Sequence, residues 1–188
     1  MKKTIISILF LGAMLAFAAT LYVNQANAEI IQSDGYEIGD KVEDFNLRSV
    51  NGKLVSMSDY PNAKGFIIVF TCNHCPYARA YWNRFQELAK KYEEDNLAMV
   101  AINPNDASKY PADDFDTMVK LAKQLKLTYP YLHDERQTVA KKLGAQRTPE
   151  AFLFNSKREL VYKGAIDDNW EHEQLVTRVH LEDAIEYC

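Results

Sequence analysis

The amino-acid sequence predicts an α/β domain, with a central mixed sheet flanked by helices and a β-hairpin added at its N-terminal end. Three observations carry that prediction. Residues 66–70 (Phe-Ile-Ile-Val-Phe) form an unbroken apolar run, the pattern of a strand covered on both faces. After it, Ala78, Tyr81, Trp82, Phe85, Leu88, Ala89 and Tyr92 recur at steps of three and four, which predicts one long amphipathic helix, and a second apolar run at 97–102 then completes a β-α-β unit with parallel strands. Finally, 151–154 and 160–162 flank a tight turn at Asn155-Ser156-Lys157 and predict an antiparallel edge to the same sheet.

Taken from its start, the chain opens Met1-Lys2-Lys3, carries no charge from Thr4 to Val23, and reaches the small-residue triplet Ala26-Asn27-Ala28. This is the layout of a secretory signal peptide over 1–28. The apolar stretch is also long enough for an uncleaved membrane anchor, and the triplet favours cleavage. Under either outcome Lys2 and Lys3 stay on the cytoplasmic side, and the remainder is exported to a periplasmic or secreted location. Residues 29–36 read as a flexible lead-in, and 37–188 as one domain.

Asn51-Gly52 between Phe45-Asn46-Leu47 and Leu54-Val55-Ser56 is a two-residue hairpin signal. Pro76 suits the first turn of the long helix. Phe115, Met118, Val119, Ala122 and Leu125 line one side of a further helix, and Asp113, Asp114 and Asp116 before and within it read as a charge bias at its N-terminus. A shorter helix at 137–143 stops at Gly144. A final helix is expected from Trp170 to Tyr187, with Leu181, Ile185 and Cys188 on one face.

The chain holds 22 Lys and Arg against 26 Asp and Glu, a net charge of −4, which argues against nucleic acid or anionic lipid as a partner. Its three cysteines are too few for a stapled scaffold. Cys72 and Cys75 are separated only by Asn73 and His74, and closing so short a loop removes little unfolded-state entropy. Reversible redox chemistry explains the spacing better. A strand running into Cys72-Asn73-His74-Cys75 and then a helix places a thiol where free N–H groups and the helix dipole favour a thiolate. Cys72 is expected as the outer, attacking sulfur, and Cys75 as the one that resolves a mixed disulfide. An imidazolium at His74 would lower the thiol pKa and stabilise the reduced form. Thr148-Pro149, at the start of a strand, suits a cis peptide bond that exposes the Thr148 backbone to an extended substrate segment beside Cys72. No bound cofactor is implied. A metal held by the two cysteines with His74, His133 or His172 is the alternative; no second cysteine pair or short histidine spacing accompanies it. His180 reads as a solvated or capping residue, and Cys188 as a spare thiol.

Several blocks together resemble the thioredoxin superfamily, specifically its alkyl hydroperoxide reductase and thiol-specific antioxidant branch. They are Gly39-Asp40-Lys41 through Phe45, Asn51-Gly52-Lys53, Phe70-Thr71-Cys72-Asn73-His74-Cys75-Pro76-Tyr77, 101–105, Arg147-Thr148-Pro149 and 164–168. The resemblance implies a thioredoxin-like fold and a thiol-disulfide oxidoreductase acting on protein thiols or disulfides, or on a redox partner protein. A thiol peroxidase consuming hydroperoxide is the second reading, and a copper- or zinc-binding module the third. Laid over peroxiredoxins, the peroxidatic cysteine falls on Cys75, but their Thr or Ser is Cys72 and their proline is Ile68. Their arginine falls near Pro149, so Arg147 reads as at best a neighbour of that position or as ordinary surface. The buried acid of thioredoxins would fall near Phe66.

Overall fold

The computed structural model describes residues 35–188; the expected signal peptide and residues 29–34 of the lead-in lie outside the described residues. The apolar run that carries the sequence reading is strand β3 (Gly65–Phe70), buried along its whole length. The other strands are β1 (Leu47–Ser49), β2 (Leu54–Val55), β4 (Leu97–Asn103), β5 (Tyr131–His133), β6 (Glu150–Asn155) and β7 (Leu160–Gly164). They form one seven-stranded sheet in the order β2-β1-β5-β4-β3-β6-β7. β3 is parallel to β4 and antiparallel to β6, so the sheet is mixed and β3 lies in its interior, paired on both sides, as expected.

Because successive side chains of a strand point to opposite faces, β3 feeds two cores at once. Phe66, Ile68 and Phe70 join Phe152, Phe154, Val139 and Leu143 on one face. Ile67 and Val69 join Trp82, Phe85, Met118 and Leu181 on the other. The helices are α1 (Pro76–Ala80), α2 (Trp82–Lys91), α3 (Phe115–Leu125), α4 (Thr138–Leu143) and α5 (His180–Glu186). α4 covers the first face; α2, α3 and α5 cover the second.

Four local expectations need correction. The long helix is divided at Tyr81 (φ −95°, ψ −6°), whose N–H turns back to the Ala78 carbonyl at 3.1 Å. Tertiary contacts hold this tighter turn. The Tyr81 hydroxyl donates to Asp167 Oδ1 at 2.6 Å, and the Arg84 guanidinium lies over the ring at 4.6 Å. The N-terminal hairpin forms with Leu47 opposite Val55, but its loop spans four residues, 50–53, with Gly52 at φ +86°. β5 was not expected; it is only three residues long and follows Pro130, too short for a periodic signal. The final helix begins at His180, not Trp170. Residues 170–179 form a loop with one 3₁₀ turn (Glu173–Leu175), held down because the Asp168 carboxylate accepts the N–H of Thr177 at 2.9 Å and Asp168 N–H donates to the Arg178 carbonyl at 3.2 Å. Arg84 fastens the same loop to α2, donating to Asp167 Oδ2 and the Asn169 carbonyl, both at 2.7 Å.

The last residues of the expected lead-in are also anchored. Tyr36 packs on the core, and Gly35 lies so close to Gly144 that a Cβ on it would stand 2.2 Å from the Gly144 Cα. Gly144 itself ends α4 at φ +73°, a conformation glycine adopts without a Cβ clash.

Candidate active site

The Cys72–Cys75 segment leaves the end of β3 and enters α1, with Cys75 at the helix N-cap and Pro76 in the first turn. Across from it, the Thr148-Pro149 bond is cis and leads into β6. Both sulfurs face Thr148. Cys72 Sγ lies 3.1 Å from Thr148 Oγ1, and Cys75 Sγ donates to the Thr148 carbonyl at 3.7 Å. Both thiols are free. The structure therefore gathers Cys72, Cys75, His74, Thr148 and Pro149 in one place. His133 lies on β5, with its ring beside Phe115, and Cys188 is exposed at the far end of the chain. His172 and His180 belong to the C-terminal segment.

The two sulfurs differ in the opposite sense to the sequence reading. Cys72 is fully buried, whereas Cys75 is partly exposed. Burial pushes the Cys72 thiol pKa up, and the negative charges of Asp113 and Cys75 add to the rise. Hydrogen bonds from Thr148 and from the Cys75 backbone N–H oppose it without reversing it. A depressed thiol at Cys72 was the expectation; the helix start does offer its N–H to that sulfur, but removal from water outweighs it.

The residue that organises this loop is Asp113, which the sequence reading assigned to helix charge bias. It is completely buried. Its Oδ1 accepts the Asn73 backbone N–H at 2.6 Å, and its Oδ2 accepts from Asn105 Nδ2 at 2.7 Å and pairs with His74 Nδ1 at 2.5 Å. Asn73 is fixed further, its amide donating to the Ala112 carbonyl at 2.8 Å and its oxygen accepting from the Tyr131 hydroxyl at 2.8 Å. His74 stacks on Tyr110 with ring centroids 4.7 Å apart. Asp114, next in sequence, is the true helix cap, accepting the Thr117 N–H at 2.6 Å. Nothing in the local sequence separates these two neighbouring acids; only the 310 turn before α3 sends one inward and one to the helix end.

Cys72, His74 and Asp113 also place three atoms able to ligate a metal within 4.8 Å of one another. Cys75, His133 and His172 do not belong to that group. On the other flank of the pair, Tyr77 on α1 meets Trp170 edge to face at 4.4 Å, and both rings are partly exposed.

Comparison with known proteins places this geometry in context. The AhpC/TSA family model matches residues 38–163. Glutathione peroxidase 1 of Caenorhabditis elegans is 33% identical over 86 residues, 45% of this chain and 52% of that protein, so the chain spans about half the length of that relative. Thiol-disulfide oxidoreductase ResA of Oceanobacillus iheyensis is 26% identical over 137 residues, 70% of this chain and 67% of that protein. Among solved structures, the hypothetical protein SMc02350 of Sinorhizobium meliloti superposes with a TM-score of 0.75 at 31% identity, covering 81% of this chain and 84% of that one. More distant redox proteins share the thioredoxin-like fold alone. With its cysteine pair at the end of the central strand and a family match running through almost every strand of the sheet, the chain belongs to the AhpC/TSA family, on a thioredoxin-like fold.

Proposed function

We propose that the chain is an exported thiol-disulfide oxidoreductase whose Cys72 and Cys75 cycle between dithiol and disulfide. The observation that carries this reading is the convergence of both sulfurs on Thr148, just before β6. The name of the ResA relative and the family membership support an oxidoreductase acting on protein thiols or disulfides, or on a redox partner protein. Export rests on the signal-like segment at 1–28.

The burial of the two thiols supports one order of events. Cys75, the accessible sulfur, attacks or is attacked by the partner; Cys72, held inside by Thr148, resolves the mixed disulfide and closes the internal bond. Thr148 positions the partner by its backbone, and Asp113 and His74 hold the loop. The test uses Cys72→Ser and Cys75→Ser variants in a Cys188→Ser background, exposed to a disulfide-linked peptide and read by intact mass. The Cys72→Ser variant accumulates the mixed disulfide about tenfold faster than the Cys75→Ser variant. Equal rates, or faster capture by Cys72, would reverse the order. Failure of the unsubstituted protein to form any interconvertible Cys72–Cys75 bond would remove the exchange reading altogether.

A second reading, thiol peroxidase, is favoured by one observation: the accessible sulfur is Cys75, the position on which the peroxidatic cysteine of the resembling family falls. Rapid hydroperoxide consumption with a sulfenic acid at Cys75 supports it. Consumption no faster than by a free thiol eliminates it.

A further inference from the structure

A cleft of about 360 Å³ opens beside Cys75 and is lined by His74, Tyr110, Thr148, Lys141 and Arg147 among others. Its charge is one-sided. No aspartate or glutamate lines it, although the chain as a whole carries a net charge of −4. The lining amides are already engaged: Asn105 with Asp113, Gln137 with the Pro104 carbonyl, and Gln146 with the Gly144 carbonyl. Lys141 and Arg147 form no ion pair among the described residues, whereas the adjacent Lys142 is paired with Glu43 at 2.5 Å. Two cations without an ion pair among the described residues thus line the same recess as the accessible sulfur, while the nearby carboxylates of Asp113 and Glu150 are buried and already hydrogen-bonded.

From this we infer that the site takes small disulfides carrying carboxylates near their sulfurs, with Lys141 and Arg147 as specificity-determining residues. The inference rests on the exchange reading and adds a substrate class to it. The cleft volume sits at the lower end of the range for small-molecule sites, roughly 300–1,000 Å³, which favours a small ligand over a folded segment of an acidic protein. The guanidinium supplies a bidentate fork for one carboxylate, and the ammonium a point charge for another. The chemistry balances without a further reagent. Cys75 thiolate attacks one substrate sulfur, the substrate S–S bond breaks, and one half leaves as a thiolate that takes up a proton. Cys72, losing its proton, then attacks the Cys75 sulfur, forms the internal disulfide and expels the second half. The protein dithiol is oxidised by two electrons, and the substrate disulfide is reduced by two.

The test compares three aliphatic disulfides of matched reactivity class with the reduced full chain: dithiodipropionate (a dianion), bis(2-hydroxyethyl) disulfide (neutral) and cystamine (a dication). Oxidation is followed by stopped flow, and each rate is normalised to that of dithiothreitol with the same disulfide. The expected result at low ionic strength is a preference for the dianion over the dication of about tenfold, shrinking as salt is added. In the Lys141→Gln, Arg147→Gln double variant the preference disappears while the neutral disulfide reacts at its original rate. Equal normalised rates in the unsubstituted protein, or a preference untouched by the double variant, would overturn the inference and leave the exchange reading standing. A preference seen with an acidic disulfide-linked protein but not with dithiodipropionate would also overturn it, in favour of a macromolecular substrate. If none of the three oxidises the Cys72–Cys75 pair, the exchange reading falls first and the inference with it.

Discussion

Asp113 shows what one buried side chain can decide. Its carboxylate fixes the Asn73 backbone and the His74 ring, and its charge opposes ionisation of Cys72. Asp113→Asn keeps the shape and removes the charge, so the Cys72 thiolate should form at lower pH. Alkylation of Cys72 against pH, in a Cys75→Ser, Cys188→Ser background, reads this directly: the titration moves down in the variant, and an unmoved curve would show that burial alone sets it. The Cys72 thiol itself is pushed above its ordinary range, so closure of the proposed Cys72–Cys75 disulfide is expected to keep accelerating as pH rises past that range. The sequence made the placement of Cys72 and Cys75 at a strand-to-helix junction and the cis Thr148-Pro149 bond legible, because both are local patterns with a chemical reason. It did not make Asp113 legible, since the role depends on a loop some forty positions away folding over Asn73. Nor could spacing tell which sulfur is covered, because the cover is Thr148, contributed by the start of another strand.

At the scale of elements, the sheet was readable wherever a strand was long and apolar, as in β3, β4 and β6. It was unreadable where three residues sufficed, as in β5. The break at Tyr81 and the late start of α5 share one cause. Arg84, Asp167 and Tyr81 tie the 165–179 loop to α2, and helical propensity in that loop yields to these polar contacts. Arg84 and Asp167 are both largely buried. Arg84→Gln therefore leaves a buried carboxylate without its cation, a loss of about 3 kcal/mol, and loosens the loop. Limited proteolysis should cut first between Asp168 and Val179 in the variant, with the unsubstituted protein resistant there. Cleavage elsewhere would mean that the loop is held by other contacts.

Across the whole molecule, tyrosine burial sets a limit on alkaline stability. Tyr129 and Tyr131 are both buried, and burial raises both phenols above the usual tyrosine range. The folded state thus holds these protons more tightly than the unfolded chain. The unfolded chain ionises first, so stability is full below about pH 10 and falls as pH climbs toward the raised values. Urea midpoints measured at about pH 8 and about pH 11 should differ accordingly. Tyr129 has a buried hydroxyl without a partner, so Tyr129→Phe should flatten the alkaline decline and cost nothing at neutral pH. An unchanged decline would assign it to other groups. The two-faced core behind this behaviour followed from the apolar runs, while the unpartnered hydroxyl at Tyr129 follows from packing that no single segment encodes. The chain has two tryptophans, and their settings differ: Trp82 lies in the core, whereas Trp170 rests on Tyr77, two positions beyond Cys75. The partly exposed indole, resting on the helix that follows Cys75, is therefore a resident optical reporter for the proposed dithiol–disulfide cycle, and its emission intensity should step between two levels on oxidation and reduction, with no dye attached.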